Sequence, residues 1–205
     1  MSPRKPRLTQ AERSALSEQR IAKAAIDLVA KQGYSQTSLA QIGTQAGYTG
    51  GLVSHRFGSK QRLLRTLLDR ITGRFWDDQI VPAVAERRGL EALCAACDAY
   101  LAELSVREQN VRALYVLMGE ALGPLPDIRQ IFADLDGGLR GTVRNWLQQA
   151  VDAGEVRKDL DCDVMAPLIV GWLRGIALQW LMAPSCFELE AARKGLDQMI
   201  RRSLA

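Results

Sequence analysis

Residues 38–57 read SLAQIGTQAGYTGGLVSHRF, and this stretch decides the fold that the sequence predicts. Ser38 and the glutamine three residues later form a capping box, which opens a short helix over about residues 39–46. Gly47 interrupts the helical pattern, and a second short helix follows over about residues 50–56. Two short helices on either side of a glycine turn indicate a helix-turn-helix.

The apolar residues of this stretch form an interior and leave a polar outer face on the second helix. The residues predicted to face inward are Leu39, Ile42, Ala46, Tyr48, Val53 and Phe57, with Gly43 small at the helix crossing. The residues left facing outward are Thr49, Gly50, Ser54, His55 and Arg56. Small, polar and basic residues on that face are what a helix entering the major groove of DNA requires.

Basic residues are concentrated around this stretch. The first 70 residues contain 12 Lys and Arg against 4 Asp and Glu, although the whole chain has a formal net charge of only +4. No acidic residue lies between Asp27 and Asp69. A polyanion is the natural partner of such a surface, because each Lys or Arg near a phosphate releases a counterion. A solvated basic face without a partner would carry the same charge, so charge alone leaves both interpretations open.

The rest of the chain shows helical periodicity, and strand signals are nearly absent. The further predicted helices cover about residues 10–32, 60–82, 89–105, 107–122, 127–152, 163–183 and 186–203. Ser185 and Glu188 are expected to cap the last of them. The sequence therefore predicts an all-α fold of about nine helices. Residues 1–66 are expected to form a three-helix DNA-binding domain with the helix-turn-helix, and residues 67–205 a second, helical domain.

The last two predicted helices have apolar faces too wide for the core of one molecule to cover. Two such helices at the end of a chain can pair with their copies in an isologous four-helix bundle, so a homodimer is expected. The predicted interface residues are Leu168, Trp172, Ile176, Trp180, Leu189, Leu196 and Met199. The alternative is that these residues are ordinary core of a single chain.

The chemically reactive side chains do not form a catalytic constellation. The chain has one histidine, no glycine-rich phosphate loop and no metal-ligand cluster, so the sequence predicts no enzyme activity, no cofactor and no metal. Cys94 and Cys97 form a C-x-x-C inside an apolar helical stripe, and we interpret them as buried structural thiols. Asp159, Asp161 and Asp163 lack the spacing of an EF-hand loop, and we interpret them as helix-capping residues.

The sequence also predicts a cytoplasmic protein without a membrane partner. No run of 18 uninterrupted apolar residues is present, so no transmembrane helix is expected. The first seven residues are basic but have no apolar segment behind them, so they are not expected to form a secretory signal. Arg4, Lys5 and Arg7 in this segment are candidates for an arm in the minor groove, or for a solubilising tail.

The N-terminal third of the chain resembles the tetracycline-repressor (TetR) family of one-component transcription regulators. The matching strings are residues 37–48, residues 51–60 and Leu63-Leu64, and they include the aromatic-x-Ser-Lys junction after the recognition helix. The resemblance by motif covers about residues 18–66, and helix number and order agree over the rest. The Ser54-His55 pair and residues 175–181 resemble the choline-responsive, betaine-pathway branch of the family.

The resemblance implies a set of DNA contacts around the two short helices. Lys60, together with Thr37 or Ser38 at a helix N-terminus, is expected to grip phosphate groups. His55 is expected to contact a phosphate or a base edge, with packing or solvation as the alternative. Two glycines stand where the family often has base-contacting side chains, and Arg56 is expected to add a phosphate contact. The full predicted interface is Thr37, Ser38, Thr49, Gly50, Leu52, Ser54, His55, Arg56 and Lys60.

The resemblance also implies a small-molecule effector site between the middle helices. The candidate lining residues are Cys97, Tyr100, Leu104, Tyr115, Met118, Trp146 and Trp172, each of which core packing would also explain. A choline-like ligand would place a cation against Trp and Tyr faces. An apolar ligand would use the same residues without a charge partner.

The function that the resemblance implies is that of a repressor released from a palindromic operator when a small molecule binds. The two recognition helices of a dimer would lie about 34–36 Å apart, and a ligand would disturb that spacing by moving the fourth helix. Three alternatives remain. The first is a regulator controlled by a protein partner, and it predicts a body without a cavity. The second is a helical enzyme with an anionic substrate. The third is a protein that coats DNA without sequence preference.

Overall fold

The computed structural model describes residues 9–123, 125 and 128–205, and within these ranges the chain is helical and has no strand. Its α-helices are α1 (Gln10–Gln32), α2 (Leu39–Ala46), α3 (Gly50–Phe57), α4 (Lys60–Phe75), α5 (Val81–Val84), α6 (Gly89–Val106), α7 (Glu108–Leu122), α8 (Arg129–Asp152), α9 (Cys162–Met182) and α10 (Leu189–Leu204). A π-helical segment, Trp76–Ile80, connects α4 with α5. The predicted all-α fold is confirmed, and each of the nine predicted helices has a counterpart.

Side-chain caps explain where several helices begin. Ser38 Oγ accepts the Gln41 N–H at 3.2 Å, and the Ser38 N–H donates to Gln41 Oε1 at 2.7 Å, which is the predicted capping box of α2. Ser59 caps α4 by accepting the N–H of Arg62. Asp161 caps α9 by accepting two backbone N–H groups on one carboxylate oxygen, so the capping interpretation of this aspartate is confirmed.

Two helix predictions were wrong. The helix expected over residues 60–82 is interrupted by the π-helical segment, in which the Val81 N–H donates to Trp76 O instead of to the carbonyl four residues back. Pro82 follows directly and has no N–H, so regular α-helical bonding cannot continue through this segment. Ser185 does not begin the last helix, because α10 begins at Leu189 and its N-cap, Glu188, makes no side-chain capping bond.

Buried apolar side chains form two cores. The N-terminal core contains residues of α1 to α4 together with Ala113, Leu117 and Ala121 of α7 and Phe132 of α8. The C-terminal core contains residues of α6, α8, α9 and α10. Because α7 packs into the N-terminal core, it connects the helix-turn-helix directly with the rest of the chain. The predicted domain boundary after residue 66 falls inside α4 and stays a prediction.

The C-x-x-C of α6 lies inside the C-terminal core. Cys94 and Cys97 are both buried and are not joined in a disulfide. Burial raises the pKa of the Cys94 thiol to about 12, and burial together with Cys94 also raises the pKa of Cys97. A redox-active or metal-binding cysteine needs a low pKa, so these two thiols behave as small apolar core residues.

Helix α9 is long and apolar enough, by length and composition, to cross a membrane. A single helix of this kind is weak support for a membrane span, since core helices of other proteins pass the same test. Ile169, Leu173 and Ala177 of α9 are buried in the C-terminal core. One face of the helix is therefore already occupied by other parts of the chain.

Candidate functional site

Two glycines allow α2 and α3 to pack closely. A Cβ atom on Gly43 would lie 2.8 Å from the Gly50 nitrogen and 2.8 Å from the Thr49 carbonyl carbon. A Cβ atom on Gly50 would lie 2.9 Å from the Cα atom of Ala40. Gly47 turns the chain between them in the left-handed conformation, with φ of 79°. Backbone contacts of this kind fix the angle at which α3 leaves the helix-turn-helix.

The outer face of α3 is polar and exposed. Thr49 is the N-cap of the helix, where its Oγ1 accepts the Leu52 N–H at 3.2 Å. Ser54 and His55 are exposed one to two turns further on, and Leu52 is half-buried. Gly51 faces open space, since a Cβ atom on Gly51 would have its nearest neighbour, Thr49 Oγ1, 3.9 Å away. This face is free to approach a groove of DNA.

Two predicted DNA contacts need correction, and a third residue, Arg56, makes a contact within the chain. Thr37 is only 1% exposed, and its hydroxyl donates to Gly33 O at 2.7 Å, so its side chain is not available to a phosphate. Gly50 faces α2 instead of the outer surface, because no side chain fits there. Arg56 donates from Nη1 to the carbonyl and hydroxyl oxygens of Ser14 at 2.8 and 2.9 Å, which ties α3 to α1.

Lys60 and Ser38 lie where a phosphate contact is expected. Ser38 is exposed at the N-terminus of α2, and Lys60 begins α4. The Lys60 ammonium lies 4.2 Å from the centre of the Tyr34 ring and donates to Ser35 O at 3.4 Å. Burial lowers the pKa of Lys60, while the nearby Glu120 carboxylate acts in the opposite direction. The candidate minor-groove residues Arg4, Lys5 and Arg7 lie outside the described residues.

The side chain of Glu120, on α7, binds the loop between α1 and α2. Its Oε2 accepts the Tyr34 N–H at 3.0 Å, and its Oε1 accepts the Ser35 N–H at 3.2 Å. Gly33 has a φ of 82°, which favours glycine, and a Cβ there would lie 2.7 Å from the same carboxylate. We call this contact the Glu120 latch. It links α7 to the loop that also holds Lys60.

Tyr100 and Tyr115, two predicted effector residues, meet around an arginine. Their hydroxyl oxygens are 3.1 Å apart, and Arg174 Nη1 donates to Tyr100 Oη at 3.0 Å. The guanidinium carbon is 5.8 Å from the Tyr100 ring centre and 5.7 Å from that of Tyr115. Asp136 on α8 accepts from Arg174 Nη2 at 2.6 Å. We call these four residues, one from each of α6 to α9, the Arg174 cluster.

The Arg174 cluster is polar inside an otherwise apolar bundle. Burial disfavours the charged guanidinium, but the two tyrosines and Asp136 outweigh that effect and raise the pKa of Arg174. Burial also raises the pKa of Tyr115, so its hydroxyl stays protonated. Arg174 Nε is buried and has no hydrogen-bond partner among the described residues. The cluster is only partly buried, but a buried nitrogen without a partner costs stability, so a role other than stability is expected for it.

The other predicted effector residues do not line a common site with this cluster. Cys97 and Leu104 are fully packed in the C-terminal core, while Met118 packs against the N-terminal core. Trp146 and Trp172 are half-buried against the C-terminal core. The clefts in the described part of the chain include two of about 730 and 440 Å³, and none of the seven predicted residues lines either of these.

Sequence reasoning missed Arg174, Asp136 and Glu120. A signal for Arg174 was present, since it is the only charged residue from position 164 to position 182. A lone charge in an apolar helix is rarely buried without a specific partner. No local pattern distinguishes Asp136 or Glu120 from surface carboxylates, because both are defined by contacts between distant segments.

The predicted dimer residues divide into three sets. Leu168 and Met199 are 48% and 41% exposed, whereas Leu196 is only 3% exposed and belongs to the core, so its assignment to an interface was wrong. Trp172, Ile176, Trp180 and Leu189 are half-buried against the C-terminal core. Sequence reasoning missed Val164, Leu178 and Met182, which continue the Leu168 face along α9 and are 56%, 43% and 76% exposed.

Comparison with known proteins agrees with the fold and the helix-turn-helix. The family described as "Bacterial regulatory proteins, tetR family" matches residues 21–67, and "BetI-type transcriptional repressor, C-terminal" matches residues 89–205. The fatty acid metabolism regulator protein of Bacillus subtilis is 21% identical over 177 residues, which cover 86% of this chain and 90% of the relative.

Two solved structures show the same fold. A regulator from Saccharomonospora viridis in complex with choline has a TM-score of 0.81 at 20% identity, and the match covers 93% of this chain and 98% of that one. FadR from Bacillus subtilis in complex with stearoyl-CoA has a TM-score of 0.78 at 20% identity, covering 91% and 99%. Identities this low establish the fold and not the ligand.

A helix-turn-helix with an exposed polar recognition face, joined to a helical body, defines a DNA-binding transcription regulator. The chain belongs to the TetR family and carries a C-terminal region of the BetI repressor type. The predicted resemblance to the family, including this branch, is confirmed.

Proposed function

We propose that this chain acts in the cytoplasm as a homodimeric repressor, without catalytic activity, which a small molecule releases from a palindromic operator. The observation that carries the proposal is the exposed face of α3 with Ser54 and His55, next to Lys60 and within a stretch free of acidic residues. Lys60 and Ser38 would hold phosphates, and Thr49, Leu52, Ser54 and His55 would read base edges.

Dimerisation is needed because a single eight-residue recognition helix reads only half of a palindrome. The exposed apolar residues of α9 are Val164, Leu168, Leu178 and Met182. At about 3.6 residues per turn these positions fall on one side of the helix. Met199 adds an exposed apolar side chain on α10. The same two helices of a second copy would cover this surface as an isologous bundle.

The proposed effector is a small quaternary ammonium compound such as choline, bound at the Arg174 cluster. Two tyrosine rings already face a cation there, although it belongs to the chain itself. A ligand cation would displace the guanidinium, keep the two aromatic faces and use Asp136 as its counter-ion. Each cation–π contact contributes about 0.5–2 kcal/mol. The choline bound to the Saccharomonospora viridis regulator supports this ligand class.

The Glu120 latch offers a route from ligand to DNA. Tyr115 and Glu120 are both on α7, so a movement of Tyr115 away from Arg174 displaces the carboxylate that holds Tyr34 and Ser35. The loop would then move Lys60 relative to a phosphate. Movement of α4, the expected route in this family, would accompany that of α7 because both belong to the N-terminal core.

The test is choline binding to variants of the cluster, measured by isothermal titration calorimetry. Arg174→Ala removes the competing cation, so we expect choline affinity to rise about tenfold, equivalent to about 1.4 kcal/mol. Asp136→Asn removes the counter-ion and should weaken binding at least about tenfold. Arg144→Ala, which removes an exposed arginine paired with Asp163, is the matched control and should leave affinity unchanged.

A further variant separates binding from transmission. Glu120→Gln should bind choline as tightly as the natural chain, yet choline should no longer weaken its binding to the operator. If choline at millimolar concentration binds none of these proteins, the ligand class is wrong. A regulator controlled by a protein partner, which the close packing of Cys97 and Leu104 also fits, would then be favoured.

A further inference from the structure

The larger of the two clefts lies where the helix-turn-helix unit meets the body. Its walls are the middle of α1, the C-terminal half of α4 and the connection between α6 and α7. Its volume of about 730 Å³ falls within the range of about 300–1,000 Å³ that is usual for small-molecule sites. None of the four residues of the Arg174 cluster lines it, so it is a separate site.

Part of the cleft lining is apolar. Its apolar lining comprises Leu16, Ala22, Ile26, Ile71 and Val106, of which Val106 is 64% exposed and Leu16 37%. Because Val106 is so exposed and lies beside other apolar side chains in a concave surface, the apolar part of a ligand could bury it.

Cations outnumber carboxylates in the lining. The cations are Arg20, Lys23, Arg70, Arg74 and Arg107, and the carboxylates are Asp27 and Glu108. Glu108 already pairs with Arg112 at 2.7 Å, and Arg107 pairs with Asp78 at 2.8 Å. Arg20, Lys23 and Arg74 are exposed and form no ion pair with any residue that the structure describes. The surplus of positive charge therefore belongs to side chains that are available to a ligand.

Arg70 supplies a second, buried indication. Its Nη1 has no hydrogen-bond partner among the described residues, and its Nη2 lies 3.9 Å from Glu18. A buried donor without an acceptor costs free energy. Arg70 also lines the cleft, so a change of its rotamer would give the guanidinium an anionic oxygen there as an acceptor.

We propose that this cleft binds an amphipathic anion, with a single carboxylate or sulfate group held by the arginines and an apolar tail against Val106, Leu16 and Ile71. Such a ligand contacts α1, α4 and the α6–α7 connection at once. It therefore resists relative movement of the helix-turn-helix and the body, independently of the Arg174 cluster.

Two probes with the same ten-carbon chain and opposite charge test the proposal. Decanoate and decyltrimethylammonium are titrated separately into the full chain below their micelle concentrations, with calorimetric detection. We expect decanoate to bind at one site per chain, and at least about tenfold more tightly than the ammonium compound. Increasing salt should weaken decanoate binding, because the rim charges are exposed.

Charge reversal on the rim locates the site. Arg74→Glu should weaken decanoate binding about fivefold or more, and adding Arg20→Glu should weaken it further. Val106→Asp should also weaken it, without affecting the core. Lys158→Glu reverses an exposed charge outside the cleft lining and is the matched control, expected to stay within twofold of the natural chain.

Two results would overturn the proposal. One is the absence of saturable decanoate binding to the natural chain. The other is decanoate binding that survives Arg74→Glu but is lost in Arg174→Ala, which would place the anion at the Arg174 cluster. Neither result depends on choline binding. The anion site can therefore be wrong while the proposed repressor function holds, and the repressor function can be wrong while the anion site holds.

Discussion

Gly43→Ala is expected to weaken operator binding at least about a hundredfold. The new Cβ would meet backbone atoms of Thr49 and Gly50 at 2.8 Å, and backbone cannot yield as a flexible side chain can. Either α3 moves outward or the pair of helices loses its packing, at a cost of about 1–3 kcal/mol in unfolding free energy. Loss of two base contacts through a displaced recognition helix gives the hundredfold effect, since each is worth about 1–3 kcal/mol.

Gly51→Ala is the matched control for this prediction. It adds the same methyl group to the recognition helix, but the built Cβ has only one contact, at 3.9 Å from Thr49 Oγ1. Alanine favours a helix by about 1 kcal/mol over glycine, so this variant should be more stable than the natural chain. Fluorescence anisotropy with an operator duplex and thermal unfolding measure the two effects. Equal operator binding by Gly43→Ala and the natural chain would contradict the proposed packing of α2 and α3.

Leu168→Glu is expected to convert the dimer into a monomer at micromolar concentration. An isologous interface has two-fold symmetry, so it would contain two of the new carboxylates, one from each chain. Each would be buried without a cation to pair with. Operator affinity should fall at least about a hundredfold, because the two half-sites would no longer be bound by one connected molecule. Analytical ultracentrifugation measures the oligomeric state, and anisotropy measures the affinity.

Val81→Glu controls for the added charge. Val81 is 52% exposed on the short helix α5, outside the α9–α10 surface, so its variant should stay dimeric and bind the operator normally. If Leu168→Glu also sediments as a dimer, the exposed face of α9 is not the interface. The face would then need another explanation for its four exposed apolar side chains.

Local sequence patterns predicted the helix-turn-helix well because its determinants are local. The Ser38 capping box, the left-handed Gly47 and the apolar positions of α2 and α3 all act within a few residues of one another. The predicted helices agree closely with the observed ones except near Pro82 and Ser185. At Pro82 the missing N–H interrupts the helical pattern, whereas the residues around Ser185 form a turn before α10 begins.

The functional side chains were harder to predict because contacts between distant segments decide them. Arg56 was predicted only as a phosphate contact, yet its Nη1 also donates to Ser14, 42 positions earlier, which no local pattern indicates. Tyr100 and Tyr115 were found from the helical stripe, while the arginine between them comes from α9. The stripe of α9 was assigned to an interface as a whole, although only one side of it is exposed.

The most direct test of the account is binding of the purified chain to the DNA that flanks its own gene, compared with random duplex of equal length, at two salt concentrations. The account predicts a preference for one palindromic site that persists at 200 mM salt, on the order of a thousandfold over random DNA. Lys60→Ala should weaken binding to all duplexes, and His55→Ala should weaken binding in a site-dependent way. Equal affinity for random and flanking DNA, or no binding to duplex at low ionic strength, would contradict it.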